Sequence, residues 1–163
     1  MYILVYTFRM SFLSRVSKAL EAAGVRYALV GGYAVALHGA VRGTVDIDLV
    51  LRWELRDLEA AEAALGGIGL VSRLPVTAEE IYRFREEYIR NRNLFTWNFY
   101  NPKDLSEQVD IVLCEDLKGK RRIRMHTEAG TLQVISRRDL IAMKKASGRP
   151  QDLADVEALE RLQ

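Results

Sequence analysis

Apolar runs with the length of strands alternate with stretches of helical periodicity along this sequence. That pattern predicts an α/β or α+β fold, a mixed central sheet flanked by helices with a helical pair at the C-terminal end. Three observations carry the prediction. Tyr27–Val30 is a short apolar run closed by Gly31 and Gly32, as a buried strand is. Residues 94–100 set Phe95, Trp97 and Phe99 against polar Thr96 and Asn98, which is the period of two of a strand. Phe12, Val16 and Leu20 recur at helical spacing.

The elements follow in order. Ser11 caps a helix that runs to Ala23 and stops at Gly24. After the strand 27–30 come a brief helix 33–38 and a second strand 45–51 that carries Asp46 and Asp48. Residues 55–65, rich in alanine and glutamate, form an amphipathic helix closed by Gly66 and Gly67. A weaker strand at 70–73 precedes Pro75, and 78–89 is expected to be helical. Strands are expected at 94–100 and at 108–113, the latter presenting Asp110. Residues 121–126 and 131–135 form a hairpin around Glu128, Ala129 and Gly130. Helices 138–147 and 151–162, within a C-terminal helical region 136–163, finish the chain. Residues 1–9 read as an extra strand or as an artefact of the start codon.

At 163 residues the chain is long enough for one domain with a substantial core, taken here as residues 1–163. Its net charge of +2, from 24 basic and 22 acidic residues, does not argue nucleic-acid binding. Basic residues do cluster at 118–124 and again at Arg83, Arg85, Arg90 and Arg92, where solvated faces compete with a phosphate-tracking surface backed by Phe95 or Trp97. One cysteine, Cys114, excludes an internal disulfide framework and reads as a small buried residue. No apolar run approaches the roughly 20 residues that span a bilayer, and the N-terminal segment lacks the marks of a secretory signal. The expected location is the cytoplasm, with no membrane partner.

Chemistry concentrates in residues 27–51. Residues two apart on a strand share a face, so Asp46 and Asp48 stand together while Ile47 and Leu49 enter the core. Two carboxylates about 4 Å apart repel by roughly 4 kcal/mol at an effective dielectric near 20. A cation between them relieves that cost, and Mg²⁺ suits carboxylate oxygens, water and phosphate. Gly31 and Gly32 open a helix with unobstructed backbone amides, an anion cradle. Asp110 adds a third carboxylate from another strand, as a ligand in a two-metal site or as the base for an attacking hydroxyl.

Gly31-Gly32, thirteen residues, Asp46-Ile47-Asp48-Leu49 and a later Asp110-Ile111-Val112 together resemble the nucleotidyltransferase superfamily of the DNA polymerase β type. Arg42, Gly43 and Thr44 before Asp46 resemble its bacterial minimal and antibiotic-modifying branches. Lys144, Arg149, and then Asp152 and Asp155 in Asp-x-x-Asp spacing resemble the AbiEii-type branch, in which type IV toxins occur. The likeness runs from about residue 12 to 160. It implies a nucleotidyltransferase fold and Mg²⁺-dependent transfer of a nucleoside monophosphate from an NTP to a hydroxyl, of an RNA or tRNA end or of a protein. It further implies phosphate or nucleotide contacts from Gly31, Gly32, Arg42, Thr44, Lys144 and Arg149, support from Asp152 and Asp155, and a cognate antitoxin as partner. Two departures stand out: Tyr33 follows the glycines where a serine is common, and Lys145 follows Lys144 where leucine is usual.

Each of these residues also has a plainer role. Arg42 pairs equally well with a surface acid. Lys144 lies among Leu140, Ile141 and Met143 and can extend its head to solvent. Asp152 fits the first turn of the last helix as a dipole partner, Arg149 can pair with either aspartate, and His38 suits packing at a helix end. Antibiotic modification and a non-catalytic nucleotide-sensing or protein-binding module are the competing functions.

Overall fold

A computed structural model describes residues 2–162 of the chain, with side chains described from residue 11. Helix α1 spans Tyr2–Ala22. Residues 2–9 are therefore helical and not the extra strand the sequence suggested. Phe12, Leu13, Val16 and Leu20 form the buried stripe of α1. Gly24 turns the chain at φ +67° into β1, Tyr27–Val30, which is buried at every position.

Helix α2, Gly31–Leu37, starts on the first glycine and leads through a loop into β2, Ile47–Leu51. Helix α3, Leu55–Gly67, and the short β3, Val71–Ser72, follow. The single helix expected at 78–89 is two, α4 at Ala78–Arg83 and α5 at Arg85–Arg92. A capping box between Thr77 and Glu80 starts α4. Phe84 breaks the run at φ −108° and ψ 22°, outside the helical region. Arg85, the next residue, donates to the carbonyls of Leu113 and Glu115 and stacks over Trp53, contacts that fix the new helix direction. Strands β4, Thr96–Asn101, and β5, Asp104–Val112, form a hairpin, as do β6, Arg122–Thr127, and β7, Gly130–Ile135. Helices α6, Arg137–Ser147, and α7, Pro150–Glu160, close the chain.

The seven strands make one mixed sheet in the order β3-β4-β5-β2-β1-β7-β6. β2 pairs parallel with β5 and β1 parallel with β7; the other pairs are antiparallel. Register decides what each face carries. Ile47 pairs Val109, Leu49 pairs Ile111, and Trp97 and Phe99 pair Ile111 and Val109, giving one face an apolar centre. Burying each such side chain stabilises by about 1.5–3 kcal/mol. Asp48 pairs Asp110, and Asp110 pairs Asn98, on the opposite face. There α2 lies against β1, β2 and α6, and α6 packs on α7. Asp48, Asp110, Asn98, Gln108 and Tyr100 remain partly exposed on that face.

Candidate active site

Asp48 is the middle of the site. It is the second residue of β2, flanked by the buried Ile47 and Leu49, which anchor the strand and turn the carboxylate to the other face. Its strand partners are Val30, at the end of β1, and Asp110 on β5. Asp46 sits one residue before β2 begins, so it belongs to the end of the loop and not, as expected, to the strand itself. Burial pushes the Asp48 carboxyl up to about 7, and the charges of Asp110 and Asp46 push it the same way. Lys144 and Arg149 act in the opposite direction and are outweighed. The site thus favours positive charge at Asp48.

The glycines earn their positions by contact. Gly31 has φ +61°, and a Cβ there would lie 2.0 Å from Oδ2 of Asp48. A Cβ on Gly32 would lie 2.6 Å from Cβ of Thr44. Bare backbone at 31 and 32 therefore lets the start of α2 close against both the carboxylate and the loop, which any side chain would prevent. Val30, the N-cap, gives no side-chain cap to the first amides of α2. The Thr44 hydroxyl donates to the carbonyl of Asp46, a 3.4 Å contact that pins the loop end.

Asp110 is held by Asn98, a polar residue of the neighbouring strand β4. Asn98 Nδ2 donates to Asp110 Oδ1 at 2.8 Å. The amide oxygen of Asn98 in turn accepts from Arg73 Nε at 2.8 Å. Asn98 was legible only as a polar position of an alternating strand. Its place beside Asp110 comes from cross-strand register.

The C-terminal helices bring the remaining predicted residues together. Lys144 is buried, and its Nζ donates to Asp155 Oδ2 at 2.7 Å and Asp152 Oδ1 at 3.2 Å. Arg149 Nε donates to Asp152 Oδ2 at 2.7 Å, and Arg42 Nε lies 3.2 Å from Asp155 Oδ1. Burial alone would push Asp152 up, but hydrogen bonds from Arg149, Ser147 and Lys144 hold it down at about 2. Three cations against two anions leave one positive charge in excess. Lys145 points outward to Glu160, so Lys144 is the inward lysine of the pair.

Other candidates settle into structural roles. His38 Nε2 lies 2.8 Å from the carbonyl oxygen of Ile135, joining α2 to β7. Trp97 is fully buried and donates from Nε1 to Ser72, which removes it as a base-stacking platform, whereas Phe95 is exposed. Arg83, Arg90 and Arg92 pair with Glu79, Glu86 and Glu87 on their own helices, a solvated face. Cys114 is exposed and not, as expected, buried.

The donor set at the carboxylates is all hard oxygen, which fits Mg²⁺ chemistry. Among the described residues no group of three or more acidic, histidine or cysteine side chains is placed to hold a metal ion. No described helix is long and apolar enough to cross a membrane.

Comparison with known proteins supplies the context for this arrangement. No protein-family model matches the sequence, and no curated relative does. Solved structures do match. The lincosamide antibiotic adenylyltransferase LnuA aligns at a TM-score of 0.59 and 15% identity, over 93% of this chain and 96% of that one. The antibiotic-resistance factor ANT(2'')-Ia aligns at 0.61 and 13% identity, over 94% and 82%. An antigenic nucleotidyltransferase-like protein from Paracoccidioides brasiliensis aligns at 0.54 and 15% identity, over 93% and 75%. The AbiEii-type branch is not among these neighbours. At the level of the backbone, nearly end to end, this chain has the nucleotidyltransferase fold.

Proposed function

We propose that the protein is a metal-dependent nucleotidyltransferase that moves a nucleoside monophosphate from an NTP to a hydroxyl acceptor. The observation that carries this reading is the contact between Gly31 and Asp48, with Asp110 in register beside it. A bare-backbone turn closes on a carboxylate whose neighbours are two further carboxylates. That is a phosphate cradle next to a cation site. Asp46, Asp48 and Asp110 would hold Mg²⁺, in one or two sites, and the bound metal supplies charge neutralisation on the phosphates.

In the transfer the acceptor oxygen forms a bond to the α-phosphorus while the bond from that phosphorus to the bridging oxygen breaks. Pyrophosphate leaves with the electron pair, and the hydroxyl proton passes to Asp110. Gly31 and Gly32 present backbone to the phosphates, and Arg42 and Thr44 hold the loop that carries Asp46. Lys144 and Arg149 put positive charge behind Asp48 on the side where a triphosphate would lie, and both act on Asp48 electrostatically. Asp152 and Asp155 fix those two cations.

Two acceptor classes compete. The tail from Lys144 to Asp155 is assembled as one cluster, in keeping with the toxin-bearing branch and an RNA or protein acceptor with a cognate antitoxin. The likeness to LnuA, solved with lincomycin, and to ANT(2'')-Ia, solved with adenylyl-2''-tobramycin, favours a drug hydroxyl. The deciding experiment incubates the protein with each α-labelled NTP, Mg²⁺ and bacterial lysate, or with lincomycin or tobramycin. Asp48→Ala runs beside the wild type. Label should move to one acceptor class and be lost at least a hundredfold in the variant, with its circular dichroism unchanged. Undiminished transfer by Asp48→Ala removes the assigned site.

A further inference from the structure

The open face of the sheet beside Asp110 carries a fixed guanidinium, that of Arg73. Arg73, just past β3, donates from Nε to Asn98 Oδ1 at 2.8 Å and from Nη2 to Gln108 Oε1 at 3.3 Å. Its guanidinium lies 4.5 Å from the centre of the Tyr100 ring. The backbone amide of Arg73 donates to the carbonyl of Asn98 as well. Gln108 is itself held, donating from Nε2 to the carbonyl of Leu105. The amide orientation of Asn98 follows from chemistry: its oxygen must face the guanidinium and its NH₂ the Asp110 carboxylate.

Three facts about this arrangement point the same way. The partners of Arg73 are neutral, two amide oxygens and a ring, so its charge is not cancelled by an acid. A guanidinium has five N–H donors in a planar fork, and two are engaged here, which leaves donors for a ligand. Gln108 lies two residues from Asp110 on the same strand face, about 7 Å away by strand rise. That span is comparable to the reach from a ribose hydroxyl to a phosphate on the same nucleotide. Elsewhere around the site Lys144, Arg42 and Arg149 each pair with an acid, Asp152 or Asp155.

Resting on the nucleotidyl-transfer reading, we propose that Arg73 is the specificity residue of the acceptor subsite and reads a phosphate next to the attacking hydroxyl. The acceptor is then a phosphate-bearing ribonucleotide, either a free nucleotide or an RNA end. Tyr100 backs the guanidinium so that its fork stays in plane, and Asn98 ties the anion position to the carboxylate that receives the proton. A polycationic drug is disfavoured, because its ammonium groups would meet Arg73 across the open face.

The test is a binding measurement with the donor site filled by Mg²⁺ and a non-hydrolysable ATP analogue. The probes are a short single-stranded oligoribonucleotide, AMP, adenosine, lincomycin and tobramycin, against wild type, Arg73→Gln and Arg73→Lys. Arg73→Gln should weaken the phosphate-bearing probe about tenfold and leave adenosine unchanged, with Arg73→Lys intermediate. Oligoribonucleotide bound far more tightly than AMP identifies an RNA end; equal affinity identifies a free nucleotide. For the oligomer, Arg73→Gln should lower the slope of log affinity on log salt by about 0.7. Equal weakening of adenosine and the phosphate-bearing probes overturns the proposal, since Arg73 then acts only by positioning Asp110 through Asn98. Wild-type binding of either drug in preference to both phosphate-bearing probes also overturns it. Phosphate preference is read by binding alone, whereas loss of the transfer reading itself is read by Asp48→Ala, so the two failures are separable.

Discussion

Asp48 is a carboxyl group in conflict with its surroundings. Burial raises it to about 7 from an ordinary value of 3.8, and Asp110 and Asp46 add repulsion. The folded protein therefore keeps a proton there that the unfolded chain has already lost between about pH 4 and pH 7. The group's favourable contribution is complete below about pH 4 and declines as pH rises through 7, up to a ceiling of about 4 kcal/mol. Asp48→Asn removes that titration. At pH 8, without divalent metal, the variant should melt several degrees above wild type, at roughly 2–4 °C per kcal/mol. The gap should narrow toward pH 5, and Mg²⁺ at pH 8 should narrow it by stabilising only the wild type. A gap independent of pH and metal would mean that Asp48 is not the strained charge described here. At this scale the sequence is informative where chemistry follows strand period, so that Asp48 and Asp110 are visible beside their apolar neighbours. Asn98 and Arg73 were not visible, because pairing of β4 with β5 and β3 brings them to Asp110, and one strand's pattern does not state its partner's register.

The turn from β1 into α2 is the element on which the site depends. A glycine pair after an apolar strand was readable, and so was a helix behind it, yet the helix begins at Gly31 itself and not at Tyr33. The reason is the close approach of Asp48, a long-range contact that lets no side chain stand at the first helical position. Gly31→Ala meets two costs together: a left-handed φ of +61°, about 1–2 kcal/mol, and a Cβ 2.0 Å from Oδ2 of Asp48. The carboxylate has to move. Thermal melting should show a loss of about 2–3 kcal/mol, and nucleotide transfer should fall a hundredfold or more. Gly66 in α3 is the contrasting position, since a Cβ there meets nothing within 4 Å. Gly66→Ala should leave activity intact and raise stability by about 0.5–1 kcal/mol. Similar behaviour of the two variants would show that backbone propensity, and not contact with Asp48, governs position 31.

Across the whole molecule, the buried Lys144 joins parts of the chain that are distant in sequence. It lies on α6, its two aspartates lie on α7, and Arg42 reaches one of those aspartates from the loop that ends in Asp46. The helical pair is thus locked to the loop that ends in Asp46 by charge, and not only by apolar packing. For Lys144, Arg42 and Asp152 the sequence admits structural and functional roles alike and offers no means of choosing, because burial of an ion cluster depends on how two helices dock. The roles are separable by experiment. Lys144→Met leaves Asp152 and Asp155 buried with less compensation, a loss of about 3–5 kcal/mol and a fall in melting temperature of roughly 10 °C. Adding Asp152→Asn and Asp155→Asn removes the stranded charges and should restore most of that stability. If Lys144 also faces the triphosphate, the triple variant will be folded yet bind Mg²⁺ and NTP at least tenfold more weakly than wild type. Recovery of nucleotide affinity together with stability would confine Lys144 to holding the two helices against the loop.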